Sequence, residues 1–198
     1  MTTPPAPRPH PLTSLDQLDR FKGRPPSPGY SPTERRFFSP DDDVHGALAT
    51  VLSAAQHSVV ILMYGYDDDD VQSILLHKLL DEHVYVQLTL DSSQAGGVHE
   101  RTLLEQWHHE APGNSVAVGR SSRGAILHAK MAIVDGLWVI SGSTNWSESG
   151  ESRQANEMTI VQDPLVAAEV RSVIDIQHDA VLQQMATRPH LARRQPSV

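Results

Sequence analysis

The strongest constraint on how this chain folds is a nearly continuous apolar run at residues 58–64, with the sequence SVVILMY. The run is short and rich in β-branched residues, so it predicts a β-strand. Apolar and polar residues do not alternate within it, which indicates that both faces of the strand are buried. We therefore expect a sheet that has helices packed on each face.

The same reasoning predicts the other elements. Further strands are expected at residues 34–39, 84–90, 115–118, 127–134, 137–141 and 156–162. Asp135-Gly136 predicts a two-residue hairpin turn. Helices are expected after the aspartates at 41–43 and 67–70, around residues 98–110, and from Pro164 to about residue 184. This order predicts an α/β fold in which helices flank a mixed sheet.

The two ends of the chain differ in composition from its middle. Residues 1–33 are rich in proline, serine and arginine, and residues 186–198 are similar. We therefore expect flexible arms on either side of one folded domain at residues 34–185. Residues 12–21 of the first arm form a short amphipathic piece that is able to dock on this domain.

Composition excludes several classes of protein and of site. The chain has no cysteine, which excludes disulfides, thiolate catalysis and cysteine-bound metals. No apolar run is long enough to span a bilayer, and the N-terminal residues lack the order of a secretory signal. We therefore expect a cytoplasmic protein without an integral membrane segment.

Charge is distributed unevenly along the chain. The net charge is −8, but residues 1–40 carry +3 and the residues after 185 carry +3, which leaves −14 for the residues between them. A protein that follows long nucleic acids through phosphate contacts normally presents a basic face. The acidic middle is therefore the main observation against a nucleic-acid substrate.

The stretch from His128 to Asn145 contains the residues with chemical function. On a strand, His128 and Lys130 share one face because side chains alternate, and Ser143 and Asn145 have the same spacing. Gly142 allows backbone to approach a ligand closely. An imidazole, a cation, a hydroxyl and a carboxamide in one place suit a phosphate group.

These residues and Asp135 fit the pattern H-x-K-x(4)-D-x(6)-G-S-x-N at every specified position. At average residue frequencies such a match has a probability of about 10⁻⁸ per starting point. The pattern resembles the signature of the phospholipase D superfamily. The order of strands and helices resembles the small single-motif members, which include bacterial endonucleases. The resemblance implies a phospholipase D-like α/β sandwich and leaves both terminal arms outside it.

The resemblance also implies a mechanism. His128 is the nucleophile and forms a phosphohistidine intermediate. Lys130, Ser143 and Asn145 hold the non-bridging oxygens of the phosphate and the charge that develops on them. Glu157 matches the acidic residue that follows the family motif, and it accepts a hydrogen bond from the nucleophilic imidazole.

The chain has one copy of the motif, whereas this mechanism needs a second histidine to protonate the leaving oxygen and then to activate water. The resemblance therefore implies a homodimer with the site on its twofold axis. Chemistry at histidine requires no cofactor and no metal ion. The eleven histidines show no metal-binding spacing such as H-E-x-x-H.

Several residues near the motif keep more than one interpretation. Ser143 either contacts the phosphate or only hydrogen-bonds the backbone, and Trp146 lies either in the pocket wall or in the core. Asp135 and Gly142 are expected to have structural roles. The acidic run at 67–70 is expected to stabilise the N-terminus of a helix rather than to bind a cation. Three arginines either steer a polyanion or are ordinary surface charges. They are Arg120, Arg123 and Arg153.

The sequence supports three hypotheses for function. The first is an endonuclease that cleaves DNA or RNA, because the chain is short, has one motif and has no membrane segment. The alternative is a phospholipase D-type hydrolase or transferase that acts on phospholipid headgroups, which the acidic middle favours. The third is a non-catalytic nucleic-acid-binding dimer, and the complete set of motif residues counts against it.

Overall fold

The computed structural model describes residues 10–25, 28–81, 83–93 and 113–187. These residues form a mixed seven-stranded sheet with helices on both faces, together with a separate two-stranded sheet. The predicted α/β class with a mixed sheet is therefore confirmed. The helix that was expected around residues 98–110 lies outside the described residues.

The bounds of the elements follow the predicted order. The strands of the large sheet are β1 (Glu34–Ser39), β2 (Ser58–Met63), β4 (Tyr85–Asp91), β5 (Ser115–Gly119), β6 (Lys130–Val134), β7 (Trp138–Gly142) and β9 (Asn156–Gln162). The small sheet consists of β3 (Tyr66–Asp67) and β8 (Trp146–Ser147). The helices are α1 (Val44–Ser53), α2 (Asp69–Leu80), α3 (Glu148–Ser152) and α4 (Pro164–Thr187), after a short 3-10 helix at Leu15–Phe21. Within the described ranges, none of these helices is both long and apolar enough to cross a membrane.

Strand β2 joins the two halves of the large sheet, whose order is β1-β9-β7-β6-β2-β4-β5. It pairs in parallel with β4, which in turn pairs in parallel with β5, and it pairs antiparallel with β6 on its other side. The strands from β6 to β1 are all antiparallel to their neighbours. Met63, at the end of β2, therefore lies opposite Lys130, at the start of β6.

The apolar run in β2 is buried on both faces, as predicted. Val59, Ile61 and Met63 belong to the core that α1, α2 and the 3-10 helix cover. Val60 and Leu62 belong to a second core, to which α4 contributes apolar side chains. Those of α4 that are fully buried are Ala167, Ile174 and Val181.

Aspartate side chains begin two of the helices, as the sequence predicted. Asp43 precedes α1 and accepts a hydrogen bond from Gly46 N at 2.8 Å. Asp68 precedes α2 and accepts from Val71 N at 2.7 Å. Both carboxylates satisfy backbone donors that a helix leaves unpaired at its N-terminus.

The predicted two-residue hairpin turn is wrong by one residue. Val134 pairs with Trp138, so three residues connect β6 to β7. Asp135 and Gly136 do have the positive φ angles that favour such a turn, 54° and 63°. Leu137 N donates to Val134 O at 3.1 Å and closes the turn, so Leu137 is drawn out of the strand.

Part of the N-terminal arm is packed against the domain. Leu15 and Leu18 in the 3-10 helix are buried in the core beneath α1. Arg35 on β1 is itself buried and forms ion pairs with Asp16 at 2.6 Å and Asp19 at 2.7 Å. The amphipathic piece is therefore docked, and the flexibility of the remaining N-terminal residues and of residues 186–198 stays a prediction.

The side chain of Asp135 holds the connection between α1 and β2. Its carboxylate accepts from Gln56 N at 2.9 Å, His57 N at 2.7 Å and Ser58 N at 2.9 Å. We expect Asp135→Ala to lower the free energy of unfolding by about 2–4 kcal/mol, because three backbone donors lose a charged acceptor. Urea denaturation measures this change.

The control for Asp135→Ala is Asp41→Ala, which removes an exposed carboxylate whose ion pair with Arg24 spans 3.9 Å. We expect the control to change the free energy of unfolding by less than about 0.5 kcal/mol. Equal effects of the two substitutions would show that the Asp135 hydrogen bonds contribute nothing to stability.

Candidate active site

His128 and Lys130 come together at the end of β2, but not on one strand. Strand β6 begins at Lys130, so His128 precedes the strand that was expected to contain it. Lys130 is only 4% exposed, whereas His128 is exposed. The Lys130 ammonium lies 3.0 Å from His128 Nε2 and 3.0 Å from the carbonyl oxygen of His128.

This contact favours one tautomer of the neutral imidazole. An ammonium group can only donate hydrogen bonds, so Nε2 of His128 accepts and the neutral ring carries its proton on Nδ1. Burial lowers the pKa of Lys130 from its ordinary value. Among the described residues, two ammonium hydrogens of Lys130 have acceptors on His128, and the third is available to a ligand oxygen.

Two further residues position His128, and the sequence analysis missed both. The ring of Tyr64, directly after β2, lies 5.1 Å from the His128 ring, and the Lys130 ammonium lies 5.3 Å from the same Tyr64 ring. Asp91, at the end of β4, is fully buried and accepts from Leu127 N at 2.7 Å. Both residues stand at the carboxyl ends of parallel strands, where ligands bind in open α/β sheets. That position is the signal that could have identified them.

Gly142 lies against β9. Its φ angle is +149°, and a Cβ atom at this position would lie 2.2 Å from the carbonyl oxygen of Glu157. The next residue, Ser143, donates its backbone N–H to that oxygen at 2.9 Å. The structural role expected for Gly142 is therefore a close approach to a neighbouring strand, rather than to a ligand.

The Ser143 hydroxyl is exposed and bonded to the same strand. It accepts from Glu157 N at 3.1 Å and donates to Asn156 Oδ1 at 3.1 Å. The structure thus shows the backbone hydrogen bond that was one of the two interpretations of Ser143. Contact of this hydroxyl with a phosphate stays a prediction.

The Glu157 carboxylate does not receive the hydrogen bond expected from His128. Its Oε1 accepts from the hydroxyl of Thr159 instead. Glu157 and Thr159 are two residues apart on β9 and therefore lie on the same face of the strand. Among the described residues, the ring of His128 contacts Lys130 and Tyr64 but not Glu157.

Asn145 and Trp146 are adjacent but have different surroundings. The Asn145 Oδ1 atom is buried and has no hydrogen-bond partner among the described residues. Oδ1 can only accept hydrogen bonds, so the Nδ2 donor of this motif residue is the group suited to a phosphate oxygen. Trp146 is 1% exposed and packs in the core, which is one of its two interpretations.

The three arginines are exposed and do not contact the motif side chains within the described residues. Arg153 pairs with Glu148 on α3 at 2.6 Å. Arg120 follows β5, and its backbone N–H and carbonyl bond to Gln184 on α4 at 3.1 and 2.9 Å. Arg123 lies in the same loop, which leads to His128. A role in steering a polyanion stays a prediction for all three.

Comparison with known proteins identifies the family. A family model described as "Cardiolipin synthase, PLD-like domain" matches residues 48–176, which is more than half of the chain. The chain therefore belongs to the phospholipase D superfamily, and the resemblance of the His128–Asn145 motif is confirmed.

Two curated relatives and one solved structure illustrate this similarity. A mitochondrial cardiolipin hydrolase of Chlamydomonas reinhardtii is 26% identical over 124 residues, which cover 63% of this chain and 52% of that protein. A phospholipase D of Rickettsia bellii is 25% identical over 138 residues, 66% of this chain and 61% of that protein. The chain thus spans less than two thirds of either relative. Nuc from Salmonella typhimurium, a phospholipase D family member, shares the fold with a TM-score of 0.63 at 17% identity, covering 75% of this chain and 95% of Nuc.

The contact between Gly142 and β9 gives a testable prediction. We expect Gly142→Ala to lower the free energy of unfolding by about 2–4 kcal/mol, because the added methyl group meets a backbone oxygen in a conformation that L-residues avoid. Gly113→Ala is the matched control, because nothing lies within 4 Å of the Cβ position there. Both variants are compared by urea denaturation. A Gly142→Ala variant as stable as the control would disprove the close approach.

Proposed function

We propose that this protein is a metal-independent phosphodiesterase that cleaves DNA or RNA as an endonuclease. The observation that carries the proposal is the 3.0 Å contact between the Lys130 ammonium and His128 Nε2. It places a ring nitrogen of an exposed histidine beside a cation. A nucleophile for phosphorus and a partner for the phosphate oxygens are thereby supplied together.

In the first step of the proposed reaction, the Lys130 ammonium turns from His128 Nε2 to a non-bridging oxygen of the substrate, and the freed Nε2 lone pair attacks phosphorus and forms an N–P bond. The bond from phosphorus to the leaving oxygen breaks, and a second histidine, present as the imidazolium, donates a proton to that oxygen. The Lys130 ammonium and the Nδ2 group of Asn145 donate hydrogen bonds to the non-bridging oxygens. These contacts stabilise the charge that develops on the phosphoryl group.

In the second step, the second histidine removes a proton from water, and the resulting hydroxide attacks the phosphohistidine. The N–P bond breaks, a phosphate monoester leaves, and His128 is regenerated. No electron transfer occurs and no metal ion is needed, because the two histidines carry every proton that moves.

The second histidine is proposed to be His128 of another subunit. Within the described residues, no other histidine contacts the ring of His128. A twofold axis beside this exposed ring would bring two copies of the same residue together. The proposed enzyme is therefore a homodimer with one shared site.

A nucleic-acid substrate is supported by the two exposed arginines of the loop that leads to His128, Arg120 and Arg123. A phospholipid headgroup is the second candidate, because the named relatives are a cardiolipin hydrolase and a phospholipase D. Both substrates are phosphodiesters and use the same chemistry. The third candidate, a non-catalytic nucleic-acid-binding dimer, needs the phosphate contacts but not a nucleophile.

The first test incubates the protein in excess EDTA with single- and double-stranded DNA and RNA, and separately with cardiolipin vesicles. We expect nucleic-acid cleavage to persist in EDTA. We expect His128→Asn to reduce it by at least about 10³-fold, because the nucleophile is lost. His57→Asn is the matched control, because His57 is exposed and lies outside the motif.

Each other outcome of this test supports a different candidate. Release of headgroup from the vesicles without cleavage of any nucleic acid would replace the endonuclease with the phospholipase. Nucleic-acid binding that survives His128→Asn, with no turnover of either substrate by the unaltered protein, would identify a binding protein.

A second test mixes subunits. Unaltered and His128→Asn chains are co-expressed in equal amounts with different affinity tags, and the dimers are allowed to form at random. If two histidines share one site, only dimers of two unaltered chains are active, so about one quarter of the activity remains. A residual activity of one half would show that each subunit works alone.

A further inference from the structure

A second group of polar side chains lies where three helices meet. His45 is in the first turn of α1, Asp68 precedes α2, and Glu151 is in α3. His45 Nδ1 lies 2.7 Å from Glu151 Oε2 and 3.1 Å from Asp68 Oδ2. One nitrogen or oxygen atom of each residue lies within 4.8 Å of the others.

Glu151 indicates that this group has an additional partner. Its side chain is 2% exposed, and its Oε1 atom is buried without a hydrogen-bond partner among the described residues. A buried carboxylate oxygen without a partner is costly, and a cation is one partner that removes this cost.

The surroundings of His45 resemble the outer shell of a metal site. Its other ring nitrogen, Nε2, lies 3.2 Å from Asp70 Oδ2. A metal-binding histidine usually donates its second N–H to a carboxylate, which orients the ring. The two carboxylate oxygens of Asp68 also have different partners. Oδ1 accepts a hydrogen bond from Val71 N, and Oδ2 faces His45.

We propose that His45 Nδ1, Asp68 Oδ2 and the carboxylate of Glu151 bind one divalent transition-metal ion, with zinc as the best match. One imidazole and two carboxylates are ligands that zinc accepts at about 2.0–2.2 Å. In a tetrahedral site two atoms bound at that distance lie about 3.3–3.6 Å apart, so the 2.7 and 3.1 Å contacts of His45 Nδ1 need to lengthen only slightly. The charge of the ion balances the two carboxylates.

The ion would be structural. No hydrogen bond or ion pair among the described residues links the three ligands to His128 or Lys130. The site instead joins the N-terminal ends of α1 and α2 to α3. Asn156 Nδ2 donates to Gly150 O in α3 at 3.1 Å, and Ser143 donates to Asn156. The ion would therefore stabilise the segment that supports Ser143 through Asn156.

This inference does not depend on the proposed function, because a structural ion takes no part in chemistry at histidine. The competing explanation is a metal-free cluster in which His45 is protonated. Hydrogen bonding and the charges of Asp68 and Glu151 raise the pKa of His45 despite its burial. Both explanations account for the short contacts, so they are separated by direct measurement of bound metal.

The test uses the full-length chain, freed of metal with a chelator and then dialysed. Zinc chloride is titrated by calorimetry, and bound zinc is counted by mass spectrometry. We expect one ion per chain. His45→Gln and Glu151→Gln should weaken binding by at least about 100-fold, and Asp70→Asn by about 10–100-fold. His57→Gln and His128→Asn, which leave the cluster intact, should bind zinc as the unaltered chain does.

Thermal unfolding gives a second readout. Zinc at one hundred times its dissociation constant should raise the Tm of the unaltered protein by about 5–10 °C and leave that of Glu151→Gln unchanged. If the variants fail to fold, a crystal of the unaltered protein soaked in zinc chloride decides the matter. An anomalous scattering peak among the three ligands is then expected.

Zinc binding that is equal in Glu151→Gln and the unaltered chain would overturn the inference. An anomalous peak only at other histidines, or no peak, would overturn it as well. The EDTA cleavage assay separates this result from the proposed function. A zinc site without cleavage contradicts only the endonuclease, and EDTA-resistant cleavage without a zinc site contradicts only the metal.

Discussion

Burial of β2 on both faces is the constraint on which the rest of this structure depends. The strand has no polar face, so it must lie inside the sheet and under two helical layers. Its neighbours run in opposite directions, with β4 parallel and β6 antiparallel to it. Because β6 is antiparallel to β2, the end of β2 lies beside the start of β6, and the candidate active site lies there.

The motif residues hold both ends of this central strand. At its start, the Asp135 carboxylate accepts from Ser58 N, and at its end Met63 lies opposite Lys130. Tyr64 then packs against the ring of His128. A buried core strand and an exposed histidine are thus connected by a few contacts. Because packed interiors transmit small displacements, substitutions in the core near β2 should shift the position of the His128 ring.

The two clusters of polar side chains differ in which of their groups is buried and which is exposed. His128 and Lys130 combine an exposed ring with a buried ammonium, which suits a site that a substrate must reach. His45 and Glu151 form a group at the meeting point of three helices, with the carboxylate of Glu151 buried. An exposed group is what the proposed reaction requires of His128, and a buried carboxylate is what the proposed structural ion requires of Glu151.

The sequence by itself determined the succession of strands and helices along the chain, the burial of β2, the helix caps and the motif, because periodicity and capping act over a few residues. Only the tertiary structure decided which distant residues meet. It brought Tyr64 to His128 and Asp91 to the neighbouring Leu127, bonded Glu157 to Thr159, and gathered the cluster at His45. The physical reason is that these contacts depend on strand pairing and helix packing across the whole sheet, and no local pattern records that geometry.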